Sequence, residues 1–228
     1  MKLQIALDLD SLAKAQKIGE KVYDLVDIIE LGTPLMLKEG TRAVAQMRKS
    51  FPDVLILADM KIADGGYIEA KFAFDEGADI VTVLGISADE TILGVRRAAR
   101  EAGKMVYVDM LSVTNLEKRA RELDALDVDI IGVHTAFDVQ QTGRTPFDDL
   151  AILKANCKNA QVAVAGGVKL DTIHKAIELG ADIAIVGNAL VGAENIRETA
   201  VQFKNACAKK TVPEQRELFY ASLSTTKL

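Results

Sequence analysis

The chain is short of the features that mark several protein classes. Its 228 residues carry a formal net charge of −5 and no basic stripe, which argues against nucleic acid as a main partner. Pairs such as Lys209-Lys210 are too short to alter that. Cysteine is scarce: Cys157 and Cys207 stand apart, with no Cys-x-x-Cys or metal-ligand spacing. Reduced, partly buried thiols in a cytoplasmic protein are expected, rather than a disulfide. No apolar run reaches membrane-spanning length, and Met1-Lys2-Leu3-Gln4 leads directly into an apolar stretch instead of a signal peptide. No Gly-x-Gly-x-x-Gly follows that stretch, which leaves a dinucleotide fold with little support. Histidine is nearly missing, with only His134 and His174.

What is present repeats. Asp27-Ile28-Ile29-Glu30-Leu31, Asp79-Ile80-Val81-Thr82-Val83, Asp129-Ile130-Ile131-Gly132-Val133 and Asp182-Ile183-Ala184-Ile185-Val186 are copies of one phrase. Gly77-Ala78 and Gly180-Ala181 precede two of them, as suits a helix that ends in a left-handed residue before a strand. Between the copies lie four more β-rich runs: Leu3 to Leu7, Val54 to Ala58, Met105 to Val108 and Gln161 to Ala165. Helical spacing of apolar residues covers Leu12 to Tyr23, Lys38 to Lys49, Tyr67 to Glu76, Phe147 to Ala155, Leu170 to Leu179 and Ala193 to Ala206. Ser87-Ala88-Asp89-Glu90 and Thr114-Asn115-Leu116-Glu117 read as capping boxes. Eight strand–helix units predict parallel strands joined by right-handed crossovers. A single α/β domain, a (β/α)8 TIM barrel over residues 1–207 with a short C-terminal extension over 208–228, accounts for the count better than an open doubly wound sheet, which stays the alternative. Pro213 interrupts any helical continuation into the extension.

The charges gather where the strands end. Leu57-Ala58-Asp59-Met60-Lys61-Ile62-Ala63-Asp64 begins as an apolar strand and then carries three charges before the Gly65-Gly66 turn. Alternation puts Asp59 and Lys61 on one face. A solvated edge strand could carry both, but Val54 to Ala58 is continuously apolar, as strands buried on both faces are. Asp8, Glu30, Asp109 and His134 occupy the other strand ends, and active sites of such barrels form there. Carboxylates without thiolates suit a hard cation such as Mg²⁺, with Glu30 and Asp59 as its ligands. Lys61, held among carboxylates, is expected to stay protonated and to stabilise oxyanion charge. His134 is the natural acid/base; His174, inside a helical pattern, is expected at the surface. Strands seven and eight end in Gly166-Gly167 and Gly187-Asn188, glycine turns that suit a phosphate and imply a phosphorylated substrate.

Asp59-x-Lys61-x-x-Asp64, with Ala6-Leu7-Asp8 before it and Gly166-Gly167 after it, resembles the orotidine 5′-monophosphate decarboxylase suprafamily. Within it, Glu30-Leu31-Gly32-Thr33-Pro34, Leu57 to Lys61, Val108-Asp109-Met110 and Val133-His134-Thr135 resemble the hexulose-6-phosphate synthases. The likeness runs from about Leu3 to Phe203 and leaves the tail uncovered. The related 3-keto-L-gulonate-6-phosphate decarboxylases typically carry glutamate at the place of Asp109 and arginine at the places of Phe137 and Asn188. All three differences favour the synthases, and they suggest phosphate binding through backbone amides more than through a cationic side chain.

The resemblance implies an aldehyde-lyase: Mg²⁺-dependent aldol addition of formaldehyde to D-ribulose 5-phosphate, giving D-arabino-hex-3-ulose 6-phosphate through a 1,2-enediolate. It implies that His134 removes the C1 proton, that Lys61 holds negative charge, and that Asp8 and Asp109 position Lys61 and substrate hydroxyls. It also implies a homodimer in which Asp64 reaches into the partner's site. A Schiff base on Lys61 is disfavoured, because flanking carboxylates oppose loss of its proton. Two alternatives remain: the keto-gulonate phosphate decarboxylase, and a barrel that binds sugar phosphates without catalysis, as a sensor or scaffold.

Overall fold

The computed structural model describes residues 1–208. From Lys209 on, the expected extension lies outside the described residues, Pro213 included. The strands are β1 (Lys2–Leu7), β2 (Ile28–Leu31), β3 (Leu55–Ile62), β4 (Ile80–Leu84), β5 (Met105–Asp109), β6 (Ile130–His134), β7 (Gln161–Ala165) and β8 (Ile183–Val186). They pair in parallel and in chain order, and β8 closes on β1. The helices are α1 (Leu12–Val22), α2 (Thr33–Glu39), α3 (Arg42–Ser50), α4 (Gly66–Asp75), α5 (Asp89–Ala102), α6 (Leu116–Ala125), α7 (Phe137–Gln140), α8 (Phe147–Asn156), α9 (Ile173–Glu178), α10 (Asn188–Val191) and α11 (Ile196–Ala208). The molecule is thus a (β/α)8 TIM barrel, closed rather than open.

Strand parity divides the core in two. Leu3, Ile5, Ile29, Ile56, Val81, Val106, Ile131, Val162 and their like face outward and are covered by the helices. Ile28, Leu57, Ile80, Tyr107, Ile130, Ala163, Ile183 and Ile185 form a second cluster inside the barrel. The repeated phrase serves both ends of this arrangement. Its isoleucines, Ile28, Ile80, Ile130 and Ile183, come from the four even strands, the pattern of one packed interior layer. Its aspartates clasp the strand before: Asp27, Asp79, Asp129 and Asp182 accept the backbone N–H of Leu3 (2.8 Å), Ile56 (2.9 Å), Val106 (2.9 Å) and Val162 (2.8 Å). Each clasp takes the second residue of an odd strand, so the strand starts are fixed at four equivalent places. Arg48 and Lys104 neutralise Asp79, Arg100 pairs with Asp129, and Lys154 with Asp182.

Several boundaries differ from the sequence reading. The helix expected over Lys38 to Lys49 is two helices, because Gly40 (φ 62°) closes α2 and the chain restarts at Thr41. Pro34 in the first turn of α2 starts that helix earlier than the apolar spacing suggested. The helices expected from Leu170 and Ala193 begin at Ile173 and Ile196, after short polar turns held by Thr172 and Asn195. Neither capping box forms as read. Asn115, not Thr114, accepts the Lys118 N–H at 3.0 Å, while the Ser87 hydroxyl donates to the Ile62 carbonyl at 3.3 Å. The four-residue helices α7 and α10 are too short to carry an apolar period that a sequence could show. His174 is exposed on α9, as read.

Candidate active site

Strand β3 does not stop at Ala58; it runs through the charges to Ile62. Its pairing with β4 shifts register between Ala58 and Ile62, and Lys61 takes a left-handed backbone (φ 47°). A side chain at positive φ costs about 1–2 kcal/mol, so the surroundings must hold it there. Thr82, inward on β4, does so: its hydroxyl accepts the Lys61 N–H at 2.9 Å and donates to Asp59 Oδ1 at 2.8 Å. The bulge leaves both Asp59 and Lys61 directed into the barrel mouth.

There the charges meet. Lys61 Nζ lies 2.5 Å from Asp59 Oδ2 and 3.3 Å from Asp109 Oδ2. The same Asp109 oxygen lies 3.0 Å from His134 Nδ1, and Asp109 Oδ1 accepts the Leu111 N–H at 2.9 Å. Thr33 Oγ1 donates to Asp59 Oδ2 at 2.7 Å, and Gln4 Nε2 donates to Glu30 Oε2 at 2.7 Å. Desolvation alone would lower the Lys61 pKa, but Asp59 and Asp109 outweigh it and raise it above the usual lysine value. Burial works against Asp109 too, yet the His134 hydrogen bond and the charges beside it hold its carboxyl low. Glu30 is pushed well up, first by burial and then by the Asp59 and Asp8 carboxylates. Asp8 stands at the rim, exposed on one side and turned into the mouth on the other; that partial burial, and then the Asp59 carboxylate, raises its pKa.

These side chains line one cavity of about 1110 Å³, large enough for a small metabolite. Asp8, Glu30, Asp59, Lys61, Asp109 and His134 all face it, as do Gly166, Gly167, Gly187 and Asn188. Gly166 (φ 95°) is obligatory in its place, since a Cβ there would lie 2.4 Å from the Thr135 carbonyl oxygen. Asp64 is not brought in: it is exposed and accepts the N–H of its neighbour Gly65 at 2.7 Å. Gln4, Thr33, Thr82, Tyr107 and Lys169 also face the cavity, and no sequence motif marks them as site residues. Strand parity could have found Gln4, Thr82 and Tyr107, which share the inward face with Ala6, Ile80 and Asp109. Lys169, exposed on the loop after β7, brings a basic side chain to the glycine-turn side of the mouth.

Among the described residues, no group of three or more His, Cys, Asp and Glu side chains could hold a metal unaided. Glu30 and Asp59 nevertheless fit a hard divalent ion. Both are oxygen donors facing the cavity, and Mg²⁺ takes only one or two carboxylates, completing its shell with water and substrate oxygens.

A closed parallel barrel whose mouth gathers Lys61, His134 and the carboxylates of Asp8, Glu30, Asp59 and Asp109 has the architecture of a (β/α)8 enzyme site. The chain belongs to the orotidine 5′-phosphate decarboxylase / HUMPS family, whose model matches residues 1–203. It is 43% identical to the 3-hexulose-6-phosphate synthase of Bacillus subtilis over 204 residues, 90% of this chain and 97% of that one. Among solved structures, the 3-hexulose-6-phosphate synthase from Salmonella typhimurium superposes with a TM-score of 0.88 at 43% identity, covering 90% of this chain and 98% of the other. The 3-keto-L-gulonate-6-phosphate decarboxylase from Vibrio cholerae superposes with a TM-score of 0.80 at 29% identity, covering 90% and 96%. No described helix is long and apolar enough to cross a membrane.

Proposed function

We propose that this protein catalyses the aldol addition of formaldehyde to D-ribulose 5-phosphate, giving D-arabino-hex-3-ulose 6-phosphate. The observation that carries the reading is the continuous chain Asp59–Lys61–Asp109–His134 on one wall of the cavity. The likeness to named hexulose-phosphate synthases supports it.

Asp109 fixes the His134 ring through Nδ1, which leaves Nε2 as the basic nitrogen for the cavity. His134 takes the C1 proton of the pentulose phosphate. The carbanion attacks the formaldehyde carbon, a carbon–carbon bond forms, and the carbonyl π electrons pass to oxygen, which then takes a proton. Lys61, kept charged by its two carboxylates, offsets the negative charge that builds on the substrate. Asp8 at the rim binds substrate hydroxyls. Mg²⁺ held by Glu30 and Asp59 would supply Lewis-acid stabilisation of that charge. The phosphate lies against the turns at Gly166-Gly167 and Gly187-Asn188, with Lys169 as an added cation.

The active unit is a homodimer. Asp64 stands outside its own cavity, directly before α4, whose Ile68 and Phe72 are 61% and 56% exposed. Neighbouring apolar side chains this exposed suit an interface, and a second copy placed there would receive Asp64.

The decarboxylation of 3-keto-L-gulonate 6-phosphate is the second reading, since the Vibrio cholerae decarboxylase shares the barrel. Asp109, Phe137 and Asn188 weigh against it. Purified protein with ribulose 5-phosphate, Mg²⁺ and formaldehyde decides: formaldehyde is expected to disappear as the hexulose phosphate forms. CO₂ release from the keto-gulonate phosphate without formaldehyde consumption reverses the assignment.

A further inference from the structure

Tyr107 sits on β5 two residues before Asp109, with its ring buried and 3% exposed. Beside it on β6, Gly132 stands two residues before His134. A Cβ at position 132 would lie 1.7 Å from Tyr107 Oη and 2.4 Å from the ring carbon that bears it. The phenol therefore occupies the space that a side chain on β6 would fill. This places the hydroxyl beneath the Asp109–His134 pair, at the floor of the cavity that Tyr107 lines.

Among the described residues, nothing hydrogen-bonds Tyr107 Oη, although the hydroxyl is not sealed away from the cavity. A phenol that faces a cavity and has no protein partner leaves its hydrogen bond to whatever fills that cavity. Desolvation, and then the Asp109, Glu30 and Asp59 carboxylates, push the phenol pKa well up, so it remains a neutral donor. Strand β6 separates β5 from the glycine turn of β7. A sugar phosphate anchored at those turns thus presents its other end, where the chemistry occurs, to Tyr107.

We propose that the Tyr107 hydroxyl contacts the bound reactants, donating a hydrogen bond to a carbonyl or hydroxyl oxygen at the reacting end. This rests on the functional reading above, and Gly132 is the residue that admits the contact.

The test is Tyr107→Phe, which keeps the ring and removes only the hydroxyl. One hydrogen bond made to the reactants is expected to lower kcat/KM by about 3- to 10-fold. Separate KM values for ribulose 5-phosphate and formaldehyde show which oxygen is bound. The melting temperature should hold or rise, because the deleted hydroxyl has no partner in the fold. Calorimetric titration with ribulose 5-phosphate reads the contact without turnover. Should the wild type fail to consume formaldehyde, the functional reading falls while the titration still decides on Tyr107. Unchanged kinetics and binding in the variant overturn the contact. A melting temperature that drops with activity overturns it as well, by showing that the hydroxyl supports the fold.

Discussion

The hydroxyl of Thr82 accepts the backbone N–H of Lys61 at 2.9 Å, where that lysine's φ is 47°. A threonine on β4 therefore holds a strained residue of β3, and its own proton goes to Asp59 Oδ1. Thr82→Val keeps the shape but leaves a donor and an acceptor short of a partner. We expect a loss of about 1–3 kcal/mol, read as a lower melting temperature, and a fall in kcat larger than any rise in KM. A variant with wild-type kcat would mean that the bulge holds without the clasp.

Asp109 serves His134 and Lys61 through one oxygen. Asp109→Asn removes the charge shared by His134 and Lys61 and leaves one acceptor oxygen where both carboxylate oxygens accept, so the amide cannot serve the imidazole, Lys61 and the Leu111 N–H together. Turnover should fall by roughly 10²–10⁴-fold while the fold persists. Exchange of the C1 proton with deuterium, followed by NMR, should slow in parallel; exchange at the wild-type rate would remove His134 from proton abstraction.

Gly166 has no room for a methyl group and a φ that side chains avoid. Gly166→Ala is expected to raise KM for the phosphorylated substrate. Displacing the Thr135 backbone should also cost about 1–3 kcal/mol. A KM unchanged within error would place the phosphate elsewhere.

The Mg²⁺ assignment is tested by exhaustive chelation, after which activity should vanish and return on adding Mg²⁺. Glu30→Gln should weaken Mn²⁺ binding measured by electron paramagnetic resonance. Full activity in metal-free protein would dismiss the ion.

Asp124 on α6 accepts the backbone N–H groups of Lys158, Asn159 and Ala160 at 2.9–3.0 Å. Burial works to raise its pKa, but these donors and the Asn159 side chain hold it below the usual carboxylate range. A depressed folded-state pKa contributes stability that is complete above the unfolded value of about 3.9 and is lost as pH falls through the folded one. Asp124→Asn should therefore melt lower than the wild type at pH 7, by on the order of 1–3 kcal/mol, with the gap narrowing below about pH 4. A gap that stays constant down to pH 3 would contradict this linkage.

Strand number, parallel order and the charged mouth were legible because the Asp-Ile phrase and the apolar runs state them locally. Parity sufficed to direct Asp59, Asp109 and His134 inward. The bulge at Lys61 was not legible, since alternation predicts a straight strand and the clasp comes from Thr82, 21 residues away. Gly40 broke a helix whose apolar period runs on across it. The fit of Tyr107 against Gly132 is a steric relation between two strands, and neither residue announces it alone.

The four aspartate clasps all lie where strands begin, and the reacting groups all lie where they end. Cohesion and chemistry therefore draw on separate residues of the same strands. A substitution at the mouth leaves the staples at the base untouched, so a chain of this design can change what it reacts with and still fold as before.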